Sequence, residues 1–328
     1  MRPFDAVLVV AFGGPQGPAD VRPFLENVLR GRRVAPERID EVAHHYARFG
    51  GVSPLTELTM RQAAAVGAAL YARDLALPVH VGMRNWHPYL ADTMTRMADA
   101  GVRRAVGILA AAQRSYSGCL QYRENVRDAR AAVAATGRRP PDIVYVGDWH
   151  EHPGFIEANA DHVRRAAADL PETLRDSARL IFTAHSIPAS MAATYPYQAN
   201  LLASARRIAL AAGRSEWELV FQSRSGRPED PWLEPDVCDY LRKAPIAAAI
   251  LCPVGFLCDH VEVLYDLDVE AAAVCRERGI ALARAEAVND HPRFVDALAD
   301  AVSETYARYA RSIPLTVVAP GGGIPRRA

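Results

Sequence analysis

The chain has 328 residues, 50% of them hydrophobic and 23% charged, enough to build two domains of ordinary size. Lysine plus arginine and aspartate plus glutamate both number 38, so the formal net charge is zero. That argues against nucleic acid as the main partner, because phosphate contacts need a basic excess or a basic patch. No uncharged apolar run is long enough to span a bilayer, so no stable membrane insertion is expected.

The first element read along the chain is DAVLVVAF at 5–12, a continuous apolar run closed by Gly13, Gly14 and Pro15. This is how a parallel strand covered on both faces reads. Helical stretches follow near 18–30 and 35–48, and 55–73 combines helical periodicity with good helix formers. Next come a strand at 79–84, a helix at 88–100, a strand at 104–110 and a long helix at 118–136. TGRRPPD at 136–142 reads as a turn and linker. The alternation then restarts, with strands at 143–149, 179–186, 217–223 and 247–255 and the segment ALARAEAV at 281–288. Helices at 153–169, 195–212, 234–243 and 258–278 separate them, and a last helix covers 291–311.

Strands alternating with helices imply parallel βαβ units with right-handed crossovers, and two successive sets imply two similar α/β domains. The division falls at 1–140 and 141–312, with the last helix free to pack back on the first domain and 313–328 as a flexible tail. Open sheets of this class bind ligands beyond the C-terminal ends of their strands, so the cleft between the two sets is the expected site. The start, MRPFDAVLVVAFGGP, shows no small-residue cleavage pattern, so no signal peptide is expected. The five cysteines, Cys119, Cys238, Cys252, Cys258 and Cys275, include no CxxC pair and suit reduced thiols in a cytoplasm. No GxGxxG follows the first strand, and neither GxxxxGK[ST] nor GxSxG occurs, which removes dinucleotide, P-loop and nucleophile-elbow readings.

Three places carry chemistry. In TAHSIP at 183–188 an apolar strand delivers His185 at its C-terminal edge; on spacing alone, a functional histidine and a hydrogen-bonded core histidine are equally good readings. In PVGFLCDHVEVLYDLDVE at 253–270, Glu262, Asp266 and Glu270 recur every four residues. On an α-helix each step drifts by about 40°, so they share one face, and a wider, π-type turn would align them better. A solvated acidic face is the plainer reading, but no Lys or Arg stands at i+4 within the stretch to relieve the repulsion. Such a row suits a cation or protons in passage. The third place is a set of hydroxyls and arginines in the first half: Arg30, Arg32, Arg33, Tyr46, Ser53, Ser115, Tyr116, Ser117, Tyr122 and Arg123. Taken singly each reads as polar surface; together they suit several carboxylates on a large flat ligand. Trp86, Trp149 and Trp232 could wall a cleft, although core packing is simpler for each.

These segments resemble the ferrochelatases over nearly the whole chain, through FGGP (12–15), HYARFGGVSPL (45–55), GMRNWHPYL (82–90), TAHSIP, FQSRSGRPEDPWLEPDV (221–237) and PVGFLCDHVEVLYDLDVE. More narrowly, SYSGCLQYREN (115–125) resembles actinobacterial members of the branch that inserts iron into coproporphyrin III. The resemblance implies two Rossmann-like domains around a porphyrin cleft, a lyase that inserts Fe²⁺ with release of two protons, and a place in haem biosynthesis. The family's catalytic histidine matches His185 and its catalytic glutamate matches Glu262; with them, Asp266 and Glu270 match its metal-facing acidic row. The porphyrin would be held by Phe12, Arg30, Arg32, Tyr46, Ser53, Asn85, Ser115, Ser117 and Tyr122. Phe12 stands where several relatives place a tyrosine and Asn85 where some place a histidine, with His87 close by. No cysteine follows Cys275, so the [2Fe–2S] cluster of some relatives is not expected, nor is any tightly bound cofactor. RPFLENVLRGRR at 22–33 is polar and basic with no apolar lip, which favours a four-carboxylate porphyrin and a soluble, cytoplasmic enzyme over a membrane-borne protoporphyrin IX. A monomer, with hand-over of product to a coproheme decarboxylase, is the family-level expectation; a non-catalytic porphyrin carrier is the alternative from another class.

Overall fold

The computed structural model describes residues 2–31, 36–225 and 230–311. Two parallel sheets are built from the two alternating sets. The first contains β1 (Ala6–Ala11), β2 (Val79–Met83), β3 (Arg104–Leu109) and β4 (Asp142–Tyr145), in the order β2-β1-β3-β4. The second contains β5 (Arg179–His185), β6 (Trp217–Gln222), β7 (Ala248–Cys252) and β8 (Ala281–Arg284), in the order β6-β5-β7-β8. The uninterrupted apolar run at the start gives β1, in which every residue is buried. Its Val9 lies level with Val81 on one side and Ile108 on the other.

The shared order has a direct consequence for function. From β1 the chain crosses to β2 on one side and later to β3 on the other, so a crevice opens beyond the ends of β1 and β3. The same reversal occurs between β5 and β7. Ligand sites of open α/β sheets lie at such switch points.

One boundary differs from the sequence reading. The strand expected to open the second set is β4, and it pairs with β3, with Ala105 level with Ile143. The RRPP turn is therefore a tight crossover inside the first sheet, not a linker between sheets. Gly107 permits the pairing, since a Cβ there would meet Ile143 Cγ2 at 2.6 Å. The last helix, Pro292–Ala310, does pack back on the first lobe. It lies against helices Leu55–Tyr71 and Pro153–Asp169, its Tyr309 ring meets Phe4 edge-on at 5.3 Å, and its Asp296 and Asp300 pair with Arg73 at 2.9 and 3.2 Å. The tail expected at 313–328 lies outside the described residues.

One apolar core runs from Phe4, Val7 and Val9 through Phe155 and Phe294 to Phe182 and Ile250, so the two sheets share it. Full burial of each such side chain contributes about 1.5–3 kcal/mol. A small separate cluster of Val21, Phe24 and Leu25, with Phe12, Tyr46 and Trp86 against it, lies under helices Pro18–Val28 and Pro36–Arg48.

Candidate active site

His185 closes β5, and Glu262 follows β7 after the turn 253–260. The two strands that flank the second switch point therefore supply the two groups. Gly255 makes their approach possible. Its N–H donates to the Thr183 carbonyl at 3.1 Å, and a Cβ there would stand 2.5 Å from Ala184 Cβ. With the loop held flat against β5, His185 Nε2 and Glu262 Oε1 lie 3.9 Å apart, both partly exposed.

The tautomer of His185 follows from its other nitrogen. Nδ1 meets the Ser186 carbonyl oxygen, which can only accept, so Nδ1 carries the proton in the neutral ring. Nε2 then presents its lone pair toward Glu262. The strand end is fixed by the buried Tyr197, whose hydroxyl donates to the His185 carbonyl at 3.0 Å. Burial first, and then the Glu262 charge, push the Tyr197 hydroxyl far above its ordinary pKa. The same two causes act in the same order on Tyr46, so its phenol also lies within electrostatic reach of Glu262.

Beyond Glu262 the helix widens. A short α-helical turn, Val261–Val263, passes into a π-helical segment, Leu264–Ala271, and returns to α-helix at Ala272–Arg278. The wider turn takes up the drift of a four-residue spacing and sets Asp266 and Glu270 in line. Val263, Leu267 and Ala271 are buried on the other side. Asp266 is held by Gln222 Nε2 at 3.1 Å and by the Ser223 hydroxyl, and Ser223 adopts the left-handed conformation (φ 61°). Burial, followed by the neighbouring Glu262, pushes the Asp266 carboxyl up to about 7, against the pull of those two hydrogen bonds. Glu270 is exposed, so the row leads from the cleft to solvent. Among the described residues no three His, Cys, Asp or Glu side chains converge as a closed metal chelate; the acids form an open track.

The residues expected from the resemblance to hold a porphyrin divide. Phe12 follows β1 and meets Phe24 edge-on at 6.2 Å, and Tyr46 meets the same ring at 5.8 Å. Tyr122 is buried, and burial pushes its hydroxyl up to about 12. Asn85 is buried and tied by its backbone N–H to the Phe12 carbonyl at 3.0 Å, while its side-chain Nδ2 has no protein acceptor. Ser53 is buried at the start of helix Leu55–Tyr71, against Gly14, where a Cβ would meet Ser53 Cβ at 2.7 Å. Ser115 Oγ accepts from Gly118 N at 2.8 Å and lies 3.3 Å from Ser117 Oγ, capping a second π-helical turn, Tyr116–Leu120. Ser53 and Ser115 thus shape local backbone. Arg30 is exposed at the end of helix Pro18–Val28 and reaches the Asn27 side chain; Arg32 and Arg33 lie outside the described residues. His87 is exposed and stacks edge-on to Tyr89 at 4.3 Å.

Three residues escaped sequence reasoning. The Arg84 guanidinium lies 5.5 Å from the Phe12 ring and 5.3 Å from the Tyr122 ring and donates to Gln121 at 3.1 Å. Its place one residue past β2 was the available signal. His45 stacks on Tyr265 at 3.6 Å, joining the first lobe to the π-helical segment. His260 is pushed below the ordinary histidine range by burial, against the pull of Glu262 and Asp259. Of the tryptophans read as possible cleft walls, Trp232 bridges to Pro188 beside the His185 loop and carries a buried indole N–H without a protein partner. By contrast, Trp149 is core, packed on Phe155 and Phe294. A further cavity of about 310 Å³, lined by Arg114, Arg123, Tyr145, Asp148 and Tyr195 among others, includes none of His185, Glu262 and Asp266.

A family profile described as Ferrochelatase matches residues 4–306. The chain belongs to the ferrochelatase family. Among curated ferrochelatases, the coproporphyrin III ferrochelatase of Mycolicibacterium smegmatis is 48% identical, covering 92% of this chain and 89% of its own. The coproporphyrin III ferrochelatase of Streptomyces coelicolor is 44% identical, over 92% and 85%. A protein named simply ferrochelatase, from Rhodopirellula baltica, is 46% identical, over 93% and 87%. The solved sirohydrochlorin chelatase SirB of Bacillus subtilis subspecies spizizenii superposes with a TM-score of 0.53 at 13% identity, covering 92% of this chain and 95% of its own, which shows a common chelatase fold.

Proposed function

We propose that this ferrochelatase inserts Fe²⁺ into coproporphyrin III to give coproheme and two protons. The observation that carries the chemistry is the 3.9 Å approach of His185 Nε2 to Glu262 Oε1 at the switch point of the second sheet. Metal insertion removes two pyrrole N–H protons and needs the ring nitrogens turned out of the macrocycle plane. The unprotonated Nε2 takes one proton, and the Glu262 carboxylate stabilises the imidazolium that forms. The proton passes along Asp266 and Glu270 to solvent, Nε2 is emptied, and the second proton follows. Iron fills the nitrogen set as the protons leave. A cleft with walls fixed by a shared core favours the puckered ring over the flat one. Iron is substrate in this scheme, and no resident cofactor takes part.

The choice of coproporphyrin III rests on the names of the relatives and on the cleft's lip. Helix Pro18–Val28 turns Val21, Phe24 and Leu25 inward and leaves Arg22 and Glu26 outward, with Arg30 exposed just past its end. Arg84, the unpartnered Asn85 amide and the exposed Arg30 are donors suited to carboxylates. No helix among the described residues is long and apolar enough to cross a membrane. We place the enzyme in the cytoplasm, as a monomer passing coproheme to a decarboxylase. The relative named only as a ferrochelatase keeps protoporphyrin IX as the second reading. Anaerobic absorbance assays with Fe²⁺ and each porphyrin decide between them. A kcat/KM at least tenfold higher for coproporphyrin III is expected, and equal or reversed values overturn the choice.

A further inference from the structure

The sequence reading gave Arg284 no role, and neither step above uses it. It ends β8, level with Leu251 of β7, and its side chain is 16% exposed. Its Nη1 donates to Asp259 Oδ1 at 2.8 Å and its Nε to Asp268 Oδ1 at 2.6 Å. Asp259 precedes Glu262 by three residues, and Asp268 follows it by six, inside the π-helical segment. One guanidinium thus grips the chain on both sides of Glu262 and Asp266.

The anchor on the near side is built further. Asp259 accepts from Asn289 Nδ2 at 2.8 Å and from Ala287 N at 3.3 Å, and its own N–H donates to Asn289 Oδ1 at 2.9 Å. Asn289 sits at φ 43°, and its carbonyl accepts from Gln62 of the first lobe at 2.6 Å. The far side has no such framework: the Asp268 side chain is 38% exposed and is joined to the frame by Arg284. Widened helical turns are poorer than α-helix in isolation and persist where surroundings hold them. A planar fork that bonds two carboxylates in fixed directions is suited to that task.

We infer that Arg284 is the positioning residue of the metal-insertion edge: by bridging Asp259 and Asp268 it holds the widened turn that aims Glu262 at His185 and Asp266 along the track. It touches no porphyrin, so its loss should act on the chemical step and leave substrate binding alone. The inference rests on the ferrochelatase reading, and wild-type enzyme that inserts no iron into either porphyrin would sink that reading before Arg284 is touched.

The test compares wild type, Arg284→Gln, Arg284→Lys and Asp268→Asn in anaerobic iron-insertion assays, with porphyrin binding followed by absorbance on the same samples. Arg284→Gln is expected to lower kcat at least tenfold with porphyrin Kd within twofold. Arg284→Lys, which keeps the charge but not the two-directional fork, should fall between it and wild type. Asp268→Asn leaves the Asp259 half of the grip in place and should lower kcat three- to tenfold with unchanged porphyrin Kd. Should Arg284→Gln fail to fold, Asp268→Asn decides alone. Wild-type kcat per bound porphyrin in the folded variants, or a loss wholly in porphyrin Kd, overturns the assignment.

Discussion

Replacing Gly255 by alanine disturbs the approach of the loop after β7 to β5, and so of Glu262 to His185, without touching a titratable group. The new Cβ would stand 2.5 Å from Ala184 Cβ and 2.7 Å from Ala184 Cα, where carbons in contact need roughly 3.5–4.0 Å. Neither partner can rotate away, so the loop must retreat by about 1 Å. Overpacking of this kind costs about 1–3 kcal/mol, a fall of several degrees in Tm. The larger effect should be on rate. The retreating loop carries Glu262, which already lies at 3.9 Å from His185 Nε2, and a misplacement of about 1 Å can cost about 10²-fold. The expected result is a kcat for iron insertion lowered about 10²-fold, with porphyrin KM little changed, measured anaerobically beside a thermal melt. A variant with wild-type Tm and a kcat within threefold would refute the argument that close packing at 255 sets the site.

His185→Ala removes the proposed base and should lower kcat by about 10²-fold or more while the enzyme still binds porphyrin, read as turnover against porphyrin titration. Tyr197→Phe leaves the His185 carbonyl without its 3.0 Å donor, which should cost about 1 kcal/mol in denaturant melts and lower kcat severalfold. The Asp266 carboxyl, at about 7 in the folded chain against an ordinary 3.8, is largely neutral at pH 6 and holds cations weakly there. The Fe²⁺ KM of wild type should therefore fall as pH rises through 7 and level off only about one unit above it, and Asp266→Asn should flatten that slope. The sign for stability is opposite. The folded chain binds this proton more tightly than the unfolded one, so the group's contribution is full in acid and is lost as pH rises from about 4 to 7. Melts across that window should show Asp266→Asn gaining on wild type as pH increases.

What sequence revealed was what lies in unbroken periodic runs. The apolar stretch ending at Phe12 reads as a covered strand, and counting along a similar run places His185 at a strand end, with Glu262 in the helix after the next such strand. The four-residue spacing of Glu262, Asp266 and Glu270 puts them on one face of an α-helix and would align better on a widened turn, which is what the structure has. What stayed hidden depends on partners distant in sequence. Asp142–Tyr145 reads as the first strand of a new sheet but is the last of the old one, because its register sets Ile143 level with Ala105 and Tyr145 level with Gly107, whose missing Cβ leaves room for both side chains. Ser53 and Ser115 read as ligand hydroxyls, and the bonds each makes to its own backbone were not legible from composition. Arg84 gains its role only when β1 and the helix after Ser115 bring Phe12 and Tyr122 to either side of it. His45 and Tyr265 are 220 positions apart and meet only in the closed fold.

The joint hydrophobic interior of the two halves bears on how a rigid disc gets in and out. Swinging one half away from the other would tear apart Phe155, Phe294 and their neighbours and expose the surfaces they cover, so the halves behave as a single block. Helices Pro18–Val28 and Pro36–Arg48 rest on their own minor cluster around Phe24, and far less burial opposes their displacement. Admission and discharge of the macrocycle should thus be governed by this helical pair and by the His45–Tyr265 stack that latches it to the opposite wall.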